Sequence, residues 1–68
     1  MRTFGELLEQ ARNNKNFSKS KLANHISVNE SIIRKWENDE ANPTFKNVIK
    51  LSEVLGVSLN YFAGLSEK

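Results

Sequence analysis

The chain has no cysteine, one histidine and one proline, and these small numbers restrict its chemistry. Without cysteine it has neither disulfides nor thiolate metal ligands, and His25 alone cannot build a histidine metal site or a catalytic dyad. No nucleophile, base and orienting residue converge in the sequence. We therefore expect a cytoplasmic protein that is not an enzyme and needs neither metal nor cofactor.

Long apolar runs are missing as well. No run approaches the roughly 18 residues that span a bilayer, and the first ten residues, MRTFGELLEQ, carry acids where a signal peptide is apolar. We expect no membrane association and no cleaved segment. Sixty-eight residues allow one domain, over 1–68, and so short a chain buries only roughly 60% of its unfolded surface. Closely packed helices are the most economical core for it.

Helical periodicity runs through the whole chain. Residues suited to capping precede each stretch of apolar residues at helical spacing, and the sequence has no strand pattern, repeat or linker. The capping residues are Thr3, Ser18, Asn29, Thr44 and Ser58. The sequence therefore predicts an all-α domain with helices at about 4–14, 19–25, 30–37, 45–55 and 59–63.

Side-chain burial follows from the same periodicity. Phe45 belongs to the apolar pattern of the fourth helix, and Leu59 and Phe62 are expected to be buried by the fifth. Ile32 falls outside the buried stripe of the third helix and is expected to face solvent. Lys19 and Lys21 are expected to point outward from the second helix.

Residues 18–37, SKSKLANHISVNESIIRKWE, organise the chain. They predict two short helices joined by a tight turn at Ser27 and Val28, which is a helix-turn-helix unit whose second helix is shaped to enter the major groove of DNA. Ser27 stands where the turn prefers glycine, and a positive φ there costs on the order of 1 kcal/mol. A net charge of +2 permits a polyanionic partner without demanding one.

A set of residues in a fixed order extends this pattern over 4–62. They are Gly5, Leu8, Arg12, Ser18, Leu22, Ala23, Val28, Ile33, Trp36, Glu37 and Pro43, together with the segment Leu55-Gly56-Val57-Ser58-Leu59. In these residues the chain resembles the Cro/repressor-type helix-turn-helix family, also called the xenobiotic-response-element family, of bacteria and phages. The resemblance implies a compact five-helix, lambda-repressor-like domain that binds operator DNA, usually as a dimer, and represses or activates transcription. It also implies a mostly buried ion pair between Arg12 and Glu37.

The chain departs from the family pattern at several positions. Lys19 replaces the glutamine that commonly begins the second helix, where it touches phosphate. Asn16, Ser27 and Asn38 occupy positions where glycine is common, and asparagine is the milder replacement because it tolerates the left-handed conformation. The loop 38–41 is acidic where many members are basic, which weakens an expected phosphate contact.

With the third helix in the major groove, its outward residues are expected to contact bases. Glu30 can accept from cytosine N4, Lys35 can donate to guanine O6 and N7, and Ile32 can cover a thymine methyl. Ser31 can bond to almost any base. The expected phosphate-binding residues, which the helix N-termini would assist, are Lys19, Lys21, Asn29, Arg34 and Lys46.

A second class of function uses the same surface. Small proteins of this fold can act as antirepressors that grip a cognate repressor and hide its DNA-binding domain. Glu30, Asp39 and Glu40 around an exposed Ile32 would suit a basic protein surface. The partner is thus double-stranded operator DNA on the first hypothesis and a repressor protein on the second.

The C-terminal end suggests self-association. Leu59, Tyr61, Phe62 and Leu65 give it more apolar surface than so small a core would absorb. We therefore expect a homodimer through the C-terminal helix. A two-fold contact there would space two recognition helices by about one DNA turn, roughly 34 Å.

Overall fold

The structure, a computed structural model, describes residues 2–64. Within that range the chain forms five helices and no strand, as the sequence predicts. The second helix ends one residue later than predicted and the fifth one residue earlier. The helices are α1 (Phe4–Asn14), α2 (Lys19–Ile26), α3 (Glu30–Glu37), α4 (Phe45–Leu55) and α5 (Leu59–Phe62).

Hydroxyl side chains begin four of the five helices. Thr3 accepts a hydrogen bond from the N–H of Glu6 at 3.2 Å, and the Glu6 carboxylate accepts from the N–H of Thr3 at 2.9 Å, which completes a capping box. Ser18, Thr44 and Ser58 each accept from the N–H three residues later. Caps of this kind stabilise a helix by about 1 kcal/mol each, so the local sequence fixes where the helices start.

One hydrophobic core joins all five helices. Its fully buried side chains come from four of them: Leu8, Leu22, Ile26, Ile33 and Leu51. Trp36 and Phe62 are buried around this centre, and the Phe62 ring lies 5.2 Å from that of Phe4.

Two predicted core residues lie outside this core. Phe45 is 69% exposed and Leu59 is 40% exposed. Phe45 lies about 100° around α4 from the buried Leu51 and Leu55, so its ring projects past the core. Leu59 is the first residue of the four-residue α5, whose buried side chains are Tyr61 and Phe62.

The turns use left-handed residues, not all at the predicted positions. Asn16 and Ser27 have φ values of 60° and 61°. Asn38 has a φ of −90°, so the expectation of a left-handed Asn38 is wrong, and Asp39 takes that conformation instead with a φ of 59°. Its side chain gives the reason, because Asp39 Oδ1 accepts a 3.0 Å hydrogen bond from the N–H of Gly5. The end of α3 is thereby tied to the start of α1.

Gly5 lies where α1 meets the end of α3. A Cβ atom at this position would lie within 2.7 Å of the carbonyl oxygen of Trp36 and still closer to that of Glu37. Only glycine allows the two backbones to approach this closely. The contact sets the orientation of α3, the helix on which the candidate site depends.

Candidate nucleic-acid interface

The two helices of the helix-turn-helix unit are joined by three residues, Ser27, Val28 and Asn29, of which Ser27 is left-handed. Ser27 ends α2, and the N–H of Val28 donates to the carbonyl oxygen of Ala23 at 3.0 Å. Ala23 is 2% exposed, and a small side chain at this point lets two crossing helices approach. The sequence folds here into a rigid pair of helices whose second member packs against both α1 and α2.

The outer face of α3 is polar and accessible. Glu30, Ser31, Arg34 and Lys35 are exposed, whereas Ile33 and Trp36 are buried on the opposite side. A helix with this division can present hydrogen-bonding groups outward while its apolar side holds it rigidly. This face brings together three of the four predicted base-contacting residues.

The fourth, Ile32, does not lie as expected. Its side chain is half-buried and packs against the hydrophobic core. Helical periodicity within α3 alone could not reveal this contact. Ile32 therefore offers only part of its side chain to a thymine methyl or to a protein partner.

Asn29 begins α3 without capping it by its side chain. Its backbone is extended, with φ −77° and ψ 149°, as at the other helix starts, but its side chain makes no cap hydrogen bond. The amide is exposed and therefore accessible to a ligand in front of α3. The prediction of an N-cap at Asn29 holds for the backbone and not for the side chain.

The start of α2 carries cations whose positions are partly fixed. The Nζ atom of Lys21 lies 4.7 Å from the centre of the Phe17 ring, and the His25 ring stacks on Phe17 at 5.3 Å with an angle of 8° between the planes. Such cation–π contacts are worth about 0.5–1 kcal/mol at exposed sites. Lys19 is half-buried, less outward than predicted. Helical periodicity does not predict the Phe17–His25 stack, because Phe17 precedes α2.

The remaining predicted cation, Lys46, is exposed in the first turn of α4. It follows the Thr44 cap, so its side chain lies beside the positive end of a helix. In the loop before it, Asp39 accepts a hydrogen bond from the N–H of Gly5 and, like Glu40, stays exposed to solvent.

Arg12 and Glu37 form a buried ion pair beneath the unit. Arg12 Nε lies 2.6 Å from Glu37 Oε2, and each residue is 8% exposed. A second Arg12 nitrogen, Nη1, donates to the carbonyl oxygen of Phe17 at 2.8 Å. The pair joins α1, the start of α2 and the end of α3, so it positions the site without facing it.

The described part of the chain meets the requirements of neither a metal site nor a membrane-spanning helix. Between residues 2 and 64 no cluster of three or more histidine or acidic side chains is arranged to hold a metal ion. No helix in that range is long and apolar enough to cross a bilayer. Every buried side-chain nitrogen or oxygen described has a hydrogen-bond partner.

Known proteins share this fold and sequence pattern. The chain is 34% identical over 58 residues to YonR of Bacillus subtilis strain 168, described as an SPbeta prophage-derived uncharacterized HTH-type transcriptional regulator; the match covers 85% of this chain and 54% of YonR. Among solved structures, the DNA-binding domain of the P22 c2 repressor superimposes with a TM-score of 0.88 at 26% identity, over 98% of this chain and 91% of that one. SinR, described as the master regulator for biofilm formation and solved in complex with DNA, gives 0.84 at 31% identity, over 90% and 98%.

The chain spans about half the length of YonR, and 21% of a putative HTH-type transcriptional regulatory protein of Methanococcus vannielii that is 35% identical over 69 residues. The similarity thus concerns one domain of these relatives. A helix-turn-helix family model, HTH_3, matches residues 8–62, which include all of α2 to α5. The chain therefore belongs to the Cro/repressor-type helix-turn-helix family.

Proposed function

We propose that this protein is a sequence-specific DNA-binding transcriptional regulator, acting as a repressor, that places α3 in the major groove of its operator. The observation that carries the proposal is the outer face of α3, where Glu30, Ser31 and Lys35 are exposed on a helix held rigidly from behind. A helix of this kind fits the major groove, where each base pair presents a distinct pattern of donors and acceptors.

The relatives support the same function. The P22 c2 neighbour is a repressor's DNA-binding domain, and SinR was solved in complex with DNA. The similarity to both covers at least 90% of this chain, so it includes the helix-turn-helix unit and the helices that support it. Because the similarity includes α3, we place the DNA-binding surface of this chain on the outer face of that helix.

Base contacts would come from the centre of that face. Lys35 would donate to guanine O6 and N7, Glu30 would accept from cytosine N4, and Ser31 would bond to almost any base. Ile32 contributes only the exposed part of its side chain, against a thymine methyl. These four residues would determine the preferred operator sequence.

Phosphate contacts would surround the bases. Asn29 has a free side-chain amide in front of α3, and Lys21 is positioned by the Phe17 ring at the start of α2. Lys19, Arg34 and Lys46 extend the basic surface to either side. Contacts of this kind set affinity and orientation rather than sequence preference.

Antirepression is the second candidate, and the structure favours it less than the sequence does. Antirepression requires an outward-facing Ile32 as its apolar anchor, but this side chain is half-buried. It also requires Asp39 on the acidic surface that faces the partner, but the Asp39 carboxylate accepts a hydrogen bond from the N–H of Gly5. Glu30 and Glu40 are the acids that stay available to a cognate repressor.

Dimerisation through the C-terminal helix also has less support than the sequence suggests. Tyr61 and Phe62 are 4% and 8% exposed, because the core absorbs them. Leu59 is the exposed apolar residue of α5, and Leu65 lies outside the described residues. A contact at this end would therefore depend on Leu59.

The test is selection of binding sites from a pool of random duplex DNA at low salt, followed by a salt titration on the enriched sequence. We expect one enriched motif. In a plot of log affinity against log salt concentration, the slope should be about −0.9 for each phosphate contact. If no motif is enriched, the operator-binding proposal fails. A purified complex with a cognate repressor, weakened by Glu30→Lys, would then favour antirepression.

A further inference from the structure

A cleft of about 260 Å³ lies between the C-terminal half of α1 and the turn that joins α4 to α5. It is partly open to solvent, so a ligand can enter it without a rearrangement of the helices. Small-molecule sites are typically clefts of roughly 300–1,000 Å³ with apolar walls and a few polar groups. This cleft is slightly smaller, and none of the described residues proposed to contact DNA lines it. It therefore suits a small ligand at a place separate from the outer face of α3.

The inner surface of the cleft is apolar. Ala11, Leu55 and Tyr61 are buried there, and Val57 is half-buried. The Tyr61 hydroxyl already donates a 2.6 Å hydrogen bond to the carbonyl oxygen of Leu7, so its proton is not available to a ligand. The inner surface thus favours an apolar body, and hydrogen-bond donors for a ligand must come from the edge of the cleft.

The edge of the cleft is polar and is supplied by α1 and its C-cap. Gln10 and Asn14 lie four positions apart, on one face of the helix, and Lys15 follows them. All three are exposed, and their side chains make no hydrogen bond or ion pair with the described residues. Amide and ammonium groups can all donate to an anion. Among the described residues that line the cleft, Lys15 alone is charged, so the cleft carries a positive charge and no negative one.

Gly56 determines where that positive charge lies. It ends α4 with a φ of 70° and has no side chain to occupy the edge of the cleft. A Cβ atom at this position would lie 3.5 Å from Lys15 Cε and 3.6 Å from Lys15 Nζ, which are ordinary contact distances. The Lys15 side chain therefore lies over Gly56, at the C-terminal end of α4, where the helix dipole favours a cation. Its ammonium group is held beside the apolar inner surface instead of extending into solvent.

We propose that this cleft binds a small organic carboxylate with a compact apolar body. The apolar body lies against Ala11, Leu55 and Val57, and the carboxylate accepts hydrogen bonds from the Lys15 ammonium group, with the Gln10 amide beside it. The expected dissociation constant is on the order of 1 mM, because the ligand is small and the cleft is partly open. The proposal does not rest on DNA binding, since the outer face of α3 takes no part in it.

The experiment is a titration of the full chain with sodium benzoate, followed by amide NMR spectra at an ionic strength held constant with sodium chloride. Benzoate is the probe because it joins one carboxylate to a compact apolar ring. We expect saturable shift changes concentrated on the last turns of α1 and on residues 55–57. Benzamide has the same shape without the charge, and acetate has the charge without the ring. Each of these two compounds should bind several-fold more weakly than benzoate.

A lysine substitution tests the role of the charge. Lys15→Gln should weaken benzoate binding several-fold, as expected for one partly exposed charged hydrogen bond, and should leave the affinity for benzamide nearly unchanged. Lys50→Gln is the matched control, because Lys50 lies on α4 outside the cleft and has no proposed DNA contact.

The absence of a saturable shift, equal affinities for benzoate and benzamide, or equal losses in the two lysine variants would each overturn the proposal. Shift changes confined to the N-termini of α2 and α3 would also overturn it, because benzoate would then occupy the proposed phosphate contacts. The measurements contain no DNA, so a failure of the operator-binding proposal would not alter their result.

Discussion

Arg12 and Glu37 meet through two parallel hydrogen bonds, with Nε 2.6 Å from Oε2 and Nη2 3.2 Å from Oε1. The residues are 25 positions apart and both are buried. Because Arg12 also donates to the carbonyl oxygen of Phe17, one guanidinium group fixes α3 relative to α1 and to the start of α2. The orientation of the proposed DNA-binding helix thus depends on a charge pair that never faces a ligand.

Replacing Arg12 alone should be severely destabilising. Arg12→Met leaves the Glu37 carboxylate buried without a partner, which lowers the free energy of unfolding by about 3–5 kcal/mol. Urea denaturation followed by circular dichroism measures this loss. The double variant Arg12→Met/Glu37→Leu should recover much of it, because no charge is then buried alone. Equal stability of the single and double variants would contradict this explanation.

Ser27→Gly should stabilise the protein. Ser27 has a φ of 61°, which strains a residue with a Cβ atom and does not strain glycine. We expect a gain of up to about 1 kcal/mol in thermal or urea denaturation, partly offset by the larger freedom of glycine in the unfolded chain. Ser20→Gly is the control, since Ser20 is an exposed residue within α2 and should lose about 0.5 kcal/mol. A loss at both positions would show that Ser27 is not strained.

The parts of the fold that could be predicted from sequence are those set by neighbouring residues. Thr3, Ser18, Thr44 and Ser58 begin helices as predicted because each cap bonds to an N–H three residues later. The left-handed Ser27 also follows from its position in a short turn. These are local effects, visible in any short stretch of the sequence.

What could not be predicted depends on contacts between distant segments. The hydrogen bond from Gly5 to Asp39 spans 34 positions, and it selects Asp39 over Asn38 as the left-handed residue. Ile32 is half-buried because it packs against the hydrophobic core, whereas Phe45 lies outside that core and is exposed. The polar face of α3 was predictable from periodicity, but its apolar edge was not.

Tyr61 should make stability fall at alkaline pH. Its hydroxyl donates a 2.6 Å hydrogen bond to the carbonyl oxygen of Leu7, and burial raises its pKa above the ordinary value of 10.0, an effect that the nearby Arg2 charge partly opposes. A raised pKa in the folded state contributes stability that is complete below pH 10.0 and is lost as the pH rises through the folded value. Because Tyr61 is the only tyrosine, its ultraviolet absorbance titration reports this pKa directly.

Tyr61→Phe is the control for that titration. The variant lacks the ionising hydroxyl, so its urea stability should vary less between neutral pH and pH values above 10.0 than that of the natural chain. At neutral pH it should lose about 0.5–1.5 kcal/mol with the hydrogen bond to Leu7. An unchanged alkaline loss would assign the effect to lysine deprotonation instead.

Lys46→Ala should weaken DNA binding equally for all sequences. If Lys46 neutralises one phosphate, its removal should flatten the plot of log affinity against log salt by about 0.9. Fluorescence anisotropy with the selected operator and with an unrelated duplex measures both effects. Lys15→Ala is the charge-matched control, since Lys15 is exposed at the C-terminal end of α1 and has no proposed DNA contact. Equal slopes for both variants would remove Lys46 from the phosphate-binding set.

Lys35→Ala should instead change which sequence is preferred. Lys35 is exposed on the outer face of α3, and a lysine that bonds to guanine O6 and N7 contributes about 1–3 kcal/mol of discrimination against other bases. The measurement is the affinity for operators that carry each of the four base pairs at each position. The natural protein should prefer guanine at one position. The variant should lose that preference and keep its preferences at the other positions. Lys35→Arg keeps the donors and should retain guanine. Weakening that is uniform over all sequences would instead make Lys35 a phosphate ligand.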